Sequence, residues 1–301
     1  MGRASVKPVF DFSAQDNVSR MPEWIRQAFG SEDFANTSRT ISQNAITTVC
    51  EEARCPNLGE CWSRGTATFM LLGDTCTRAC GFCAVKTGKT PSIDKSEPQR
   101  VAKATRDMNL DYIVLTSVNR DDQADGGVGI FAETMRQLRE DNEKIRLELL
   151  TPDFHGCQDE AVELIQQTMQ DIKGDDVLVW GHNVETVPRL YKRVRKGSSY
   201  ARSLSLLEAA AKIENIESKS AIMLGLGEKP EEVMTVLQDL RNIGVDRIAL
   251  GQYLRPTRFH LAVEEYITPE QFKEYETQAK ALGFSWVKSG PLVRSSYHAD
   301  D

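Results

Sequence analysis

From Ala67 onward the chain alternates between two hydrophobic periods. Short runs rich in β-branched and aromatic residues occupy 68–72, 112–116, 146–150, 177–180, 221–224 and 247–252, and each reads as a strand. Between them, apolar positions recur every three or four residues over 130–140, 161–169, 203–213 and 230–242, which predicts amphipathic helices packed on those strands. Such alternation predicts βα units and a parallel sheet. The stretch 67–256 has room for about six units of roughly 30 residues, whereas a closed eight-unit barrel needs about 250. The expected fold is α/β, a partial (β/α)6 barrel open on one side.

Two extensions flank the barrel. Residues 1–66 begin polar and irregular, with Trp24, Ile25 and Phe29 expected to anchor them to the body. Residues 257–301 carry one further strand at 284–287, which leads into the tail Arg294-Ser295-Ser296-Tyr297. Catalytic groups of parallel barrels collect on the loops that follow the strands. The expected rim segments are therefore 76–83, 116–122, 152–154, 182–185, 225–228 and 253–258.

Composition narrows the setting. A chain of 301 residues that is 40% hydrophobic can bury a full core. Seven cysteines without a secretory or membrane segment point to a reducing cytoplasm, where thiols serve metals or catalysis. No apolar run approaches the roughly 18 residues of a membrane helix. Val6 breaks the myristoylation pattern of the opening Met1-Gly2-Arg3-Ala4-Ser5. A net charge of −7 offers no global field for phosphates, so neither nucleic acid nor membrane is an expected partner.

The chemistry lies in the cysteine spacing. Cys76, Cys80 and Cys83 form C-x3-C-x2-C, three thiolates from one tight loop. A closed structural zinc site takes four ligands, and an iron–sulfur cluster usually takes four cysteines. Three thiolates leave one corner open to chemistry. Upstream, Cys50, Cys55 and Cys61 form C-x4-C-x5-C, with Pro56, Asn57 and Gly59 making the intervening segment turn-prone. Zinc knuckles or buried thiols are the bland alternative for both triads. Cys157 is left over and reads as an ordinary buried thiol.

The first triad, with Phe82 before its last cysteine, resembles the signature of radical S-adenosylmethionine (SAM) enzymes. The second triad makes the chain similar to the lipoyl synthases within that superfamily. So do Met21-Pro22-Glu23-Trp24, Leu115-Thr116-Ser117-Val118-Asn119-Arg120-Asp121-Asp122, Asp125-Gly126-Gly127, Glu148-Leu149-Leu150-Thr151-Pro152-Asp153-Phe154, His182-Asn183-Val184-Glu185-Thr186-Val187-Pro188, Met223-Leu224-Gly225-Leu226-Gly227-Glu228 and the Arg294–Tyr297 tail. Asn119 stands where that family more often has aspartate.

The resemblance implies a radical SAM partial barrel and two 4Fe-4S clusters. Cys76, Cys80 and Cys83 would hold the cluster that reduces SAM. Cys50, Cys55, Cys61 and one tail serine, Ser296 with Ser295 as the alternative, would hold an auxiliary cluster that donates sulfur. It further implies insertion of two sulfur atoms at carbons six and eight of a protein-bound octanoyl-lysine. Implied partners are octanoylated carrier domains (2-oxoacid dehydrogenase E2, glycine cleavage H protein), a flavodoxin or ferredoxin electron donor, and an iron–sulfur carrier that rebuilds the spent cluster. Phe82, Thr116, Asn119, Asp121, Asn183, Gly225 and Gly227 are the implied SAM contacts.

Simpler readings stand beside these. Gly225-Leu226-Gly227 is also a strand ending in a turn. Asn183 and Glu185 are also caps before Pro188, and His182 is expected to be a structural hydrogen-bonder. The basic stretch 189–196 is either a solvated face or, through Arg193 and Lys196, a docking patch for an acidic carrier. Another sulfur-inserting radical enzyme of the biotin synthase kind, or a two-cluster electron-transfer protein, are the alternative functions.

Overall fold

The computed structural model describes residues 21–25, 32–64, 66–172 and 177–299. Phe29 and residues 1–6 lie outside these. Of the other expected anchors, Ile25 is buried, but Trp24 is 46% exposed and does not anchor the segment.

In chain order, α1 (Glu32–Gln43), α2 (Val49–Glu52) and α3 (Leu58–Ser63) precede strand β1 (Thr68–Leu71). A two-residue ladder of β2 (Thr75–Cys76) with β3 (Lys86–Thr87) follows. Then come α4 (Glu97–Asp107), β4 (Tyr112–Ser117), α5 (Val128–Asp141), β5 (Arg146–Leu150), α6 (Gln158–Asp171) and β6 (Leu178–Gly181). The second half holds α7 (Tyr191–Val194), α8 (Tyr200–Ala211), β7 (Ile216–Leu224), α9 (Pro230–Asn242), β8 (Arg247–Gln252), α10 (Pro269–Leu282) and β9 (Trp286–Gly290).

All but β2 and β3 join one sheet in the order β1-β4-β5-β6-β7-β8-β9, each neighbour parallel. The described ladder runs from β1 to β9 and does not close on itself. This matches the open α/β architecture expected. The strand at 284–287 is real but shifted, and it extends the main sheet as β9.

The side-chain period of two divides each strand. Phe69, Leu71, Ile113, Leu115, Leu147 and Leu149 are buried with Val101, Phe131, Met135, Leu138 and Ile165 of the covering helices. A second cluster joins Ile222, Leu224, Ile248 and Leu250 to Val233, Val236, Leu237, Leu240 and Phe272. Each fully buried side chain of this kind contributes about 1.5–3 kcal/mol. The opposite phase, including Thr68, Met70, Val114, Thr116, Ala221, Ala249 and Gly251, lines a cavity on the other face. The helices bury one side of the sheet and leave the other for chemistry.

Candidate active site

The cavity measures about 620 Å³, and all six cysteines of the two triads line it. Phe82, Thr116, Asn119, Asn183, Ser295 and Ser296 line it as well.

The Cys76–Cys83 loop leaves the sheet after β1 and is closed by the β2–β3 ladder, which pairs Cys76 with Thr87. Neighbouring rim loops pin it. Thr77 N donates to Asn119 O, Gly81 N donates to Val194 O, and Leu261 N donates to Gly81 O. His260 Nε2 donates to Cys83 O at 3.0 Å. Backbone N–H groups of Arg78 and Asn119 donate to the Cys76 sulfur at 3.4 and 3.3 Å.

The upstream triad rides on two short helices. Thr48 caps α2, which carries Cys50. Arg54 takes a left-handed φ of 52°, and Cys55 N donates to Cys50 O across the turn. Cys61 sits in α3. The segment is laced to β1, because Met70 N donates to Thr47 O and Phe69 bridges Thr48.

The tail completes this end. A Cβ on Gly251 would collide with the Val293 carbonyl, so only glycine lets the tail cross β8 closely enough. Asn57 Nδ2 donates to Leu292 O at 2.6 Å, and Tyr297 OH donates to Glu60 at 3.0 Å. Ser296 Oγ accepts from Thr68 Oγ1 at 2.8 Å, whereas Ser295 Oγ donates to Asn183 Oδ1 at 3.0 Å. The two serines therefore face different neighbours.

Burial sets the thiol electrostatics. It pushes Cys50, Cys61 and Cys83 up to about 12 and Cys80 up to about 11, with Arg195 opposing at Cys80. Cys55 is also raised by burial, against the opposing charge of Arg294. Without metal these thiols keep their protons, and each must lose one to become a ligand. Among the described residues no three His, Cys, Asp or Glu side chains converge on a single ion. A cubane spreads its thiolates over separate irons and does not require such convergence.

Two arginines flank the first triad. Arg78 is clamped between Asp121 at 2.6 Å and Asp153 at 2.8 Å. The Asn119 amide oxygen, turned toward Arg78, accepts from its Nε at 2.8 Å. Burial pushes the Asp153 carboxyl up, but the Arg78 hydrogen bond and charge prevail and hold it down at about 2. Arg195, buried, donates from Nη1 to Val184 O, Tyr191 OH and Ser203 Oγ. Its buried Nε lacks a partner, and the residue lines the cavity. A buried guanidinium beside a cavity supplies positive charge there, which suits an anionic ligand.

The remaining expected residues fall elsewhere. Asp121 does not line the cavity; it braces Arg78 from behind. Neither Gly225 nor Gly227 lines it. A Cβ on Gly225 would collide with Gln252 and Glu265 O, so close packing accounts for that glycine. His182 does line the cavity, but both its ring nitrogens are engaged in structural hydrogen bonds, as expected. Its Nδ1 donates to Thr151 O at 2.9 Å and its Nε2 accepts from Ser203 Oγ at 3.0 Å. Cys157 is buried at the start of α6, away from the cavity. In the basic stretch, Arg189 pairs with Glu232 and Arg193 with Glu264, Arg195 is buried, and Lys192 and Lys196 are exposed.

Sequence reasoning passed over Arg78, Thr68 and the cavity role of Arg195. Arg195 looked like one cation among five, and only its burial behind α7 singles it out.

Comparisons with known proteins agree with this geometry. The radical SAM superfamily model matches residues 70–251. A lipoyl synthase of Coxiella burnetii (strain Dugway 5J108-111) is 48% identical over 283 residues, covering 93% of this chain and 88% of that protein. One of Symbiobacterium thermophilum is 48% identical over 296 residues, covering 98% and 90%. Among solved structures, Streptococcus suis SuiB bound to its precursor peptide SuiA superposes with a TM-score of 0.56 at 12% identity, over 85% of this chain. The chain spans about half, 52%, of that structure, and the likeness concerns the fold.

Proposed function

The chain belongs to the lipoyl synthase family of radical SAM enzymes, and from that membership we propose a division of labour between its two cysteine triads. Cys76, Cys80 and Cys83 hold a 4Fe-4S cluster whose open iron takes SAM. Cys50, Cys55 and Cys61, with Ser296, hold a second cluster that is the sulfur source. When bound, the first cluster and SAM supply the one-electron chemistry that removes hydrogen from unactivated carbons six and eight of an octanoyl chain.

The protein's own part is binding, orientation and exclusion of water. The observation that carries the reading is the single cavity lined by both triads and the tail serines. An acyl chain in that cavity would lie within reach of both centres. Arg195, a buried cation that lines the cavity, is suited to the carboxylate of SAM. Phe82, Thr116, Asn119 and Asn183 line the same cavity and are the proposed cofactor contacts. Ser296 faces Thr68, beside Cys50, while Ser295 faces Asn183. That contrast supports Ser296 as the oxygen ligand. Three irons of such a cluster would each keep one soft thiolate and the fourth would take the harder serine oxygen, the protein ligand released most readily, which suits a cluster that must give up sulfide.

The substrate is an octanoylated carrier domain, with 2-oxoacid dehydrogenase E2 and glycine cleavage H proteins as the fitting class. Exposed Lys196 and Arg193 are the proposed docking cations, although Arg193 already pairs with Glu264. The electron donor is of flavodoxin or ferredoxin type, and an iron–sulfur carrier rebuilds the spent cluster. Cysteine usage supports a cytoplasmic location. No described helix is long and apolar enough to cross a membrane.

The test is anaerobic reconstitution, incubation of an octanoyl-lysine peptide with SAM and dithionite, and mass spectrometry. Replacement of two hydrogens by two sulfurs is expected. An unchanged peptide beside abundant 5′-deoxyadenosine would refute the substrate assignment.

A further inference from the structure

We propose that Thr68 is a positioning residue that holds the Ser296 oxygen toward the Cys50–Cys55–Cys61 site; the proposal rests on the two-cluster reading above. Thr68 is the first residue of β1 and only 5% exposed. Its hydroxyl donates to Ser296 Oγ at 2.8 Å across 228 positions of sequence. Its backbone N–H faces the Cys50 sulfur. The next two residues tie the segment entering α2 to the same strand, through the Phe69–Thr48 bridge and the Met70 N to Thr47 O hydrogen bond. Thr68 thus meets both the first thiol of the triad and the tail serine, and all three residues line the cavity.

The placement of the hydrogen bond carries the argument. Thr68 is fixed at the start of buried β1, and its hydroxyl holds Ser296 Oγ at 2.8 Å in the cavity that Cys50, Cys55 and Cys61 also line. Thr68 therefore fixes the Ser296 rotamer and keeps its oxygen beside the triad. Ser295 receives no such donor; its own hydroxyl is spent on Asn183. Partners of this kind behind a ligand typically change metal affinity about 10–100-fold.

The test compares Thr68→Val, Thr68→Ser and Ser296→Ala with the parent, all reconstituted anaerobically. The readouts are the rate of iron release to an excess of bathophenanthroline and the Mössbauer signature of the oxygen-ligated iron. Thr68→Val keeps the shape and removes the donor. It should release half of the iron about tenfold faster, alter the oxygen-ligated site, and leave SAM cleavage unchanged. Thr68→Ser restores the hydroxyl and should return both readouts to parental values. If Ser296→Ala disturbs the cluster and Thr68→Val does not, the Thr68 assignment is overturned while the ligand reading stands. A silent Ser296→Ala overturns both. Equal damage in Thr68→Ser and Thr68→Val would mark Thr68 as packing only and overturn the proposal.

Discussion

Lys219 and Glu148 form an ion pair closed to solvent at both ends, with the Lys219 Nζ 2.9 Å from each carboxylate oxygen. Tyr112 OH donates to the same carboxylate at 2.6 Å, and the Trp286 ring lies 4.6 Å from the ammonium. Strands β4, β5, β7 and β9 each contribute one member, so the cluster ties the sheet together on its cavity side. Breaking such a pair from one side strands a buried charge, which costs about 3–5 kcal/mol. Lys219→Met should lower the unfolding free energy read from urea melts by that amount, and Lys219→Met with Glu148→Gln should recover most of it. Equal loss in the single and double variants would show that packing alone matters there.

That pair also explains why part of the sheet was illegible in the sequence. β7 begins at Ile216, yet only its 221–224 end reads as a strand, because Glu217, Ser218, Lys219 and Ser220 break the apolar pattern. All but Glu217 of those four are buried, through pairings with distant residues that no local period encodes. β9 slipped for the same reason at Lys288 and Ser289. The strands at 146–150 and 247–252, and the helix at 230–242, carry an apolar face on their own and were read at their observed bounds. At the site, the thiols announced themselves by chemistry and spacing. Thr68 did not, because a buried threonine in a strand has no signal until its partner is known.

His182 gives the pH dependence. Burial, followed by the charge of Arg195, lowers its pKa from 6.5 to about 4. The unfolded chain therefore binds the proton first, so stability is fully present above about pH 6.5 and is lost as pH falls toward 4. The loss approaches roughly 3 kcal/mol for this one group. Urea midpoints measured from pH 7.5 to 4 should fall along that window, and His182→Gln should flatten the curve. A parental slope in the variant would move the effect to other groups.

Ser295 and Ser296 should separate by function. Ser296→Ala is expected to keep SAM cleavage and lose lipoyl product, whereas Ser295→Ala, which loses one hydrogen bond to Asn183 worth about 1 kcal/mol, should keep part of both. Cys157→Ser should be nearly silent, since that thiol lies outside the cavity. Product formation by Ser296→Ala at the parental rate, with Cys157→Ser inactive, would reverse the ligand assignment.

Charge reversal at Arg193 and Lys196 tests docking. Turnover of an intact carrier domain should slow several-fold, with less effect as salt rises, because the screening length is roughly 10 Å at 0.1 M. A short octanoyl-lysine peptide should react at the parental rate. Arg193 also loses its Glu264 partner in this variant, so Lys196→Glu alone is the cleaner comparison. Equal slowing on both substrates would rule out docking.

The central claim is that two triads facing one cavity perform separate jobs. The most direct measurement is the ratio of lipoyl product to 5′-deoxyadenosine formed by the Cys50→Ala, Cys55→Ala, Cys61→Ala variant, reconstituted beside the parent. The parent is expected to carry about eight irons and the variant about four. The variant should go on making 5′-deoxyadenosine with no sulfur-containing product, giving a ratio of zero. Lipoyl product at the parental ratio would contradict the account, because sulfur would then come from somewhere other than the upstream triad.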